Sequence, residues 1–347
     1  MDSQQAQREG RGVGFWAAAS VAIFFFLCTF FLVAMMIGSL TAWKSLVAGA
    51  EAPEDKYIEE VVSGSGDNKI AILPIRGIIR TEPTALLPDD TATVESVQER
   101  LKHVKKDDKV KAVLLLIDSP GGGITASDVM YNDILKYRKD LGKKVVVLMG
   151  DVAASGGYYI AAAADKIIAH PTTVTGSIGV ILPLINISDL IHRYGIKDDS
   201  ITSGPLKDIG SPTRPMTPEE KEILEGIIHD MYERFVSVVA AGRNMPIEKV
   251  KTLADGRIYT AQQALEDGLV DKLGYLSDAI EQAKELAGLD EALVITYEKK
   301  WSLSDLFKIA QGITPPSVRR LFEWPEMDTP RLMYLWLPGF TQGIITR

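Results

Sequence analysis

Ser155 stands in Asp151-Val152-Ala153-Ala154-Ser155-Gly156-Gly157, between an apolar run and an alanine-rich stretch. About fifty residues later, Lys207 stands in Ser203-Gly204-Pro205-Leu206-Lys207-Asp208-Ile209-Gly210-Ser211-Pro212. A serine hydroxyl attacks an acyl carbon only when a base takes its proton. A lysine can be that base when burial pulls its pKa down. The pair therefore suggests a Ser–Lys hydrolase. A third segment, Gly121-Gly122-Gly123, follows another apolar run. It lacks both the G-x-G-x-x-G spacing of a dinucleotide fingerprint and the Lys-Ser/Thr of a P-loop. It reads either as a structural turn or as an oxyanion hole, in which unencumbered glycine N–H groups approach a substrate closely.

Each residue has a plainer reading as well. Ser155 at the start of a helix is also a common N-cap. In its catalytic reading, the exposed Gly156 amide at the helix N-terminus helps to hold an oxyanion. Four histidines compete with Lys207 as base: His103, His170, His192 and His229. Only His170, at a strand end before Pro171, is a serious rival. A lysine is protonated at neutral pH at its ordinary pKa of about 10.4, and desolvation lowers that value. The neighbours Gly204, Pro205, Leu206 and Ile209 suit an apolar pocket. Asp208 would raise the lysine's pKa if it pointed inward.

These residues need elements to position them. Ile70–Ile75 reads as a first strand, with Pro74 marking an edge or a bend. Val94, Val97, Leu101 and Val104 recur at helical spacing. Val110–Ile117, interrupted only by Lys111, and Val145–Met149 are apolar runs that suit strands buried on both faces of a parallel sheet. Helices are expected over about Thr125–Leu141 and Tyr158–Ala164. Thr217, Pro218 and Glu220 spell a capping box, followed by the stripe Ile223, Ile227, Met231, Phe235 and Val239, which reads as core, with Gly242 able to end the helix. The β-loop-α alternation indicates an α/β fold with a largely parallel sheet.

The chain has 347 residues, is 46% hydrophobic and carries a net charge of −8. That balance argues against a nucleic-acid partner, which would want a basic face. The single cysteine, Cys28, excludes an intrachain disulfide. No His/Cys cluster has metal-ligand spacing, so neither a metal nor an organic cofactor is implied. Gly12–Trp43 carries no charge, and its apolar part is longer than the roughly 7–15 residues of a signal-peptide core. As a helix it exceeds the roughly 30 Å hydrocarbon core of a bilayer, and it reads as a retained anchor. The other reading is a cleaved signal peptide ending near Ala48-Gly49-Ala50. Arg8 and Arg11 before the segment outnumber Lys44 after it, which places the N-terminus in the cytoplasm and the main domain outside. The expected organisation is a cytoplasmic N-terminus over 1–14, an anchor over 15–43, a linker over 44–68, a catalytic domain over 69–290 and an extension over 291–347. Trp324, Tyr334, Trp336 and Phe340 give that extension apolar anchors, for the domain, a neighbouring subunit or the membrane surface.

Five segments then occur in order: Asp118-Ser119-Pro120-Gly121-Gly122, Ala154-Ser155-Gly156-Gly157-Tyr158, Thr175-Gly176-Ser177-Ile178-Gly179-Val180, Lys207-Asp208-Ile209-Gly210-Ser211-Pro212 and Asp255-Gly256-Arg257-Ile258-Tyr259-Thr260. Between Ile70 and Leu289 the chain closely resembles the bacterial signal peptide peptidase A family in its short, single-copy form. The resemblance implies the ββα spiral of the Clp-protease/crotonase fold, which the apolar N-terminal segment precedes as a single transmembrane helix. It assigns Ser155 as nucleophile, Lys207 as general base and Ser177 as the hydroxyl that orients the lysine. The Gly122 and Gly156 amides become the oxyanion hole. The family often carries a second lysine two residues before the catalytic one; here that position is Pro205. The resemblance further implies a homo-oligomer in which Lys207 of one subunit meets Ser155 of the next. With the anchor and its flanking charges, the expected location is the bacterial inner membrane, with the catalytic domain on the extracytoplasmic side. Its substrates would be signal peptides and other extended apolar peptides. The alternatives are a crotonase-like acyl-CoA enzyme, which needs neither Ser155 nor Lys207, and a catalytically inactive membrane scaffold.

Overall fold

The computed structural model describes residues 57–82, 91–299 and 333–336, with isolated positions 29, 31 and 35. Residues 1–56 with 302–304 form one unit, and 57–301 with 305–347 form another. Apart from those three positions, the expected anchor lies outside the described residues. Among the described residues, no helix is long and apolar enough to cross a membrane.

The chain order begins with β1 (Tyr57–Gly64), β2 (Lys69–Arg76), α1 (Val94–Lys106), β3 (Val110–Ser119) and β4 (Gly121–Gly123). Then come α2 (Ile124–Leu141), β5 (Lys144–Ala154), α3 (Gly156–Ala161), β6 (Lys166–Ala169) and β7 (Val174–Gly176). The second half holds α4 (Ser188–Arg193), α5 (Pro218–Arg243), α6 (Ile247–Leu253), β8 (Ile258–Thr260), α7 (Ala261–Glu266), β9 (Lys272–Leu273), α8 (Leu276–Ala287) and β10 (Leu293–Lys299), with β11 (Met333–Leu335) in the tail.

The main sheet runs β1-β10-β2-β3-β5-β6-β9, with β7 branching from β5 and β8 pairing β7. Every pairing from β10 through β9 is parallel. The two apolar runs are its centre, as expected. Alternate residues of β3 serve opposite faces: Val113, Leu115 and Ile117 enter the core that also holds Val97, Leu101, Met130 and Ile134, from α1 and α2. Ala112 and Leu114 pack with Ala279 and Ala283 of α8. Both faces are therefore covered, which is why these strands carry no polar alternation.

Three expectations are corrected. The linker is partly structured, because Tyr57–Gly64 pairs antiparallel with β10, and β10 itself extends the domain past residue 290 to Lys299. Pro74 lies in an interior strand. The β10 pairing stops at Ile72, however, so beyond that point β2 is laddered only to β3 and the missing N–H breaks no bond on the other side. The α5 stripe is core only in its second half. Phe235 and Val239 are buried, whereas Ile223 and Ile227 are exposed. The Thr217–Glu220 capping box is present, and the helix runs through Gly242 to end at Asn244 in the left-handed conformation. Gly242 serves a close approach instead: a Cβ there would lie 2.2 Å from the Ala162 carbonyl oxygen.

Candidate active site

The site forms where β5 changes partner. Val146–Met149 of β5 pairs with β6, and Val152–Ala154 then pairs with β7. The strand ends at Ala154, and α3 begins one residue later. Ser155 makes that turn. Its N–H donates to Gly176 O at 2.7 Å, and its carbonyl accepts the first helical bond from Tyr159 N–H at 2.9 Å. Ser155 adopts φ 54° and ψ −115° and makes no side-chain cap bond to the helix, so it occupies the N-cap position without the side-chain duty of a cap. Such a backbone costs on the order of 1–3 kcal/mol for a residue with a Cβ and persists only when its surroundings impose it. Among the described residues, three non-glycine residues have positive φ: Ser155, Ser177 and the helix-ending Asn244. Ser177 follows β7, whose Gly176 is the register partner of Ala154. The two serines thus sit just past the ends of adjacent parallel strands. Ser177 N–H is fixed by Arg257 O at 2.7 Å.

The glycine strand β4 lies alongside. Ser119 Oγ donates to Gly77 O at 2.6 Å and accepts from Gly121 N–H at 3.1 Å. Ile79 brackets the same strand, donating to Gly121 O and accepting from Gly123 N–H, both at 2.9 Å. No side chain fits here. A Cβ on Gly122 would lie 2.1 Å from Ile79 O, and one on Gly121 would lie 2.0 Å from Tyr334 O and 2.7 Å from Gly156 N. Ser127 packs behind, donating its hydroxyl to Gly123 O at 2.9 Å.

The tail occupies this place. β11 pairs antiparallel with β4, with Tyr334 opposite Gly122. Trp336 N–H donates to Pro120 O at 2.8 Å. Antiparallel alternation then makes Gly122 and Tyr334 a hydrogen-bonded pair as well. On its other side, Met333 exchanges both backbone bonds with Ile181, at 3.0 and 3.1 Å. A peptide segment is thus laddered on both sides, with the Tyr334 carbonyl oxygen between Gly121 and the Gly156 amide. The Tyr334 ring is fully buried, stacked on Tyr159 at 5.1 Å and tilted against Phe235 at 4.6 Å. Its hydroxyl donates to Met231 O at 2.9 Å. Tyr159 donates in turn to Asp128, which Arg234 also holds at 2.9 Å. Burial pushes the Tyr334 phenol above its ordinary pKa, so it remains a donor.

Ser155, Gly156, Gly122 and Ser177 are therefore gathered at one end of the sheet. Lys207 is not buried with them. It is exposed in a turn closed by Lys207 N–H to Gly204 O at 3.2 Å, and the expected apolar pocket does not enclose it among the described residues. Asp208 does not turn to the lysine. Arg214 takes its carboxylate at 2.7 and 2.8 Å. His170 is occupied elsewhere, with Nδ1 2.8 Å from Thr172 Oγ1 and its ring edge-on to Tyr275.

The sequence profile of peptidase family S49 matches residues 137–290, and that of Clp protease matches residues 84–175. A candidate signal peptide peptidase SppA of Enterococcus faecium is 37% identical over 310 residues, covering 86% of this chain and 89% of the relative. The chain belongs to the signal peptide peptidase A family, peptidase family S49. Protease 4 of Salmonella typhi, a family relative, is 35% identical over 212 residues, covering 61% of this chain and 34% of that protein. A ClpP1 variant from Listeria monocytogenes aligns with a TM-score of 0.40 at 20% identity, over 60% of this chain and 94% of that one. Family membership makes the chain a serine protease of Clp-protease-like α/β fold rather than an acyl-CoA enzyme. The sequence named Tyr334 as an anchor of the tail for the domain but did not place it in this groove. The signal for it is the continuous apolar run Leu332-Met333-Tyr334-Leu335-Trp336, of strand length, inside a proline-broken tail.

Proposed function

We propose that this chain is a membrane-anchored endopeptidase that degrades cleaved signal peptides and other extended apolar peptides with Ser155 and Lys207. The observation that carries this reading is the Tyr334 carbonyl, presented beside the Ser155 turn on a strand added to β4. Main-chain pairing of that kind binds any extended peptide, and the pocket lined by Tyr159 and Phe235 selects a large apolar or aromatic side chain before the cleaved bond.

In the mechanism, neutral Lys207 accepts the Ser155 proton as Oγ attacks the carbonyl carbon. Gly122 and Gly156 N–H groups stabilise the oxyanion. The C–N bond then breaks as the lysine returns its proton to the leaving amine, and water hydrolyses the acyl-enzyme by the reverse use of the same base. Ser177 holds the lysine amine in line. The lysine comes from a second copy of the chain. Exposed Ile185, Leu190, Ile196 and Ile201 precede it, and exposed Ile223 and Ile227 follow on α5. A patch of that kind is expected to be covered in an assembly. The segment before residue 57 holds the oligomer to the membrane, with the protease on the extracytoplasmic face.

The test mixes inactive Ser155→Ala with inactive Lys207→Ala under subunit exchange monitored by an independent label. Peptide hydrolysis should return at a level set by the mixing ratio. His170→Ala should retain most activity. Confirmed exchange without any return of activity, or a Lys207→Ala enzyme that still turns over, refutes the reading.

A further inference from the structure

The residue after the lysine is a carboxylate, and a Ser–Lys mechanism makes that a liability. The base must be neutral to work. A carboxylate within reach of an ammonium group favours the charged form and raises the lysine's pKa. Both carboxylate oxygens of Asp208 are nevertheless held elsewhere. Arg214 donates Nε–H to Asp208 Oδ2 at 2.7 Å and Nη2–H to Oδ1 at 2.8 Å, a planar two-pronged fork. The same guanidinium reaches the other way, donating Nη1–H to Glu220 Oε2 at 2.9 Å and Nη2–H to Oε1. Glu220 is buried, and its carboxylate also accepts Thr217 N–H at 2.8 Å as part of the α5 capping box. The fork is therefore anchored to a helix terminus and cannot swing freely with the loop.

We propose that Arg214 is a positioning residue for the reaction: anchored by Glu220, it holds the Asp208 carboxylate away from Lys207, so that the lysine can lose its proton. This rests on the reading of Lys207 as the base. The charged groups around the turn come from three places. Asp208 and Arg214 belong to the loop itself, Glu220 to α5, and Asp198 to the preceding segment, where it takes the Thr213 hydroxyl. Asp198 is also tied to Ser200 N–H at 2.9 Å. Asp208 is thus the carboxylate adjacent in sequence to the lysine, and Arg214 alone holds it by side-chain bonds among the described residues. Those bonds, led by the Arg214 fork, hold the Asp208 carboxyl below the usual range, so it is ionised throughout the working range.

The experiment measures pH profiles of kcat/KM for peptide hydrolysis by the full-length assembled enzyme. It compares wild type with Arg214→Gln, Asp208→Asn/Arg214→Gln and Lys207→Ala. Arg214→Gln frees the carboxylate, and the alkaline rise should move up by about one pH unit, with roughly a tenfold loss at neutral pH. The double variant removes the freed carboxylate and should return the midpoint to the wild-type position. Should Arg214→Gln fail to assemble, Arg214→Lys carries the test by the same criterion, since an ammonium cannot grip two carboxylates as a fork. If the Arg214 variants lower activity without moving the midpoint, or the double variant leaves it displaced, Arg214 is only a structural staple and the proposal falls. If Lys207→Ala retains activity, the base assignment itself is wrong, an outcome separate from the first.

Discussion

Truncating Tyr334 tests whether the tail and substrates share one groove. Tyr334→Ala removes a fully buried ring packed on Tyr159 and Phe235, and the hydroxyl bond to Met231 O. Aromatic-to-alanine changes in cores cost about 3–5 kcal/mol. A short docked strand relaxes more easily than a core, so the lower figure applies. About 3 kcal/mol weakens tail docking by about two orders of magnitude. Tyr334→Phe keeps the ring and loses one hydrogen bond, about 1 kcal/mol, or roughly fivefold. The assay is steady-state hydrolysis of an added peptide with an aromatic residue before the scissile bond. A competing tail raises the apparent KM without touching the chemical step. Tyr334→Ala should therefore lower KM strongly, Tyr334→Phe slightly, and neither should change kcat. An unchanged KM in a folded, assembled Tyr334→Ala enzyme would refute the shared groove. So would equal effects from the two variants, because the ring stacking would then carry none of the docking.

Gly121→Ala places a methyl where the Tyr334 carbonyl and the Gly156 amide meet, at φ +99°. It should lose about 10²–10³ in kcat, the usual cost of a lost oxyanion donor; Gly77→Ala, at φ +94° with open space around it, should show only the backbone strain as a lower melting temperature. Asp271 is a stability probe away from the site. Burial alone would raise its pKa, but Arg243 at 2.9 Å and the Ile167 N–H at 2.8 Å outweigh burial and hold it below the ordinary carboxylate value. Its contribution is then present above the unfolded pKa of about 3.9 and lost as pH falls through the lower folded value. Asp271→Asn should cost about 1–3 kcal/mol at pH 7 by urea unfolding, with a smaller difference from wild type by pH 3; a gap constant with pH would count against the ion pair.

What could be read from the sequence follows from how local each signal was. Val110–Ile117 and Val145–Met149 announce buried parallel strands because burial on both faces leaves no polar residue between Ala112 and Ile117 or between Val145 and Met149. The turn at Ser155 was legible because a strand pattern meets a helix pattern there, although its backbone angles were not. β1 was illegible because Tyr57-Ile58-Glu59-Glu60-Val61-Val62 has no polar–apolar alternation and buries only Tyr57. The exposure of Lys207 could not be read at all. Flanking apolar residues predict a pocket whether its walls come from the same chain or from another copy. Glu220 shows a subtler limit. Its place three residues after Thr217 is fully accounted for by the capping box, so nothing in the local pattern asks for a second role. Yet the same carboxylate anchors Arg214, and through it Asp208, at the residue next to the proposed base. A residue whose type already satisfies a local rule gives no sequence signal of a tertiary duty. That duty becomes visible only when the helix end, the loop and the guanidinium are placed together.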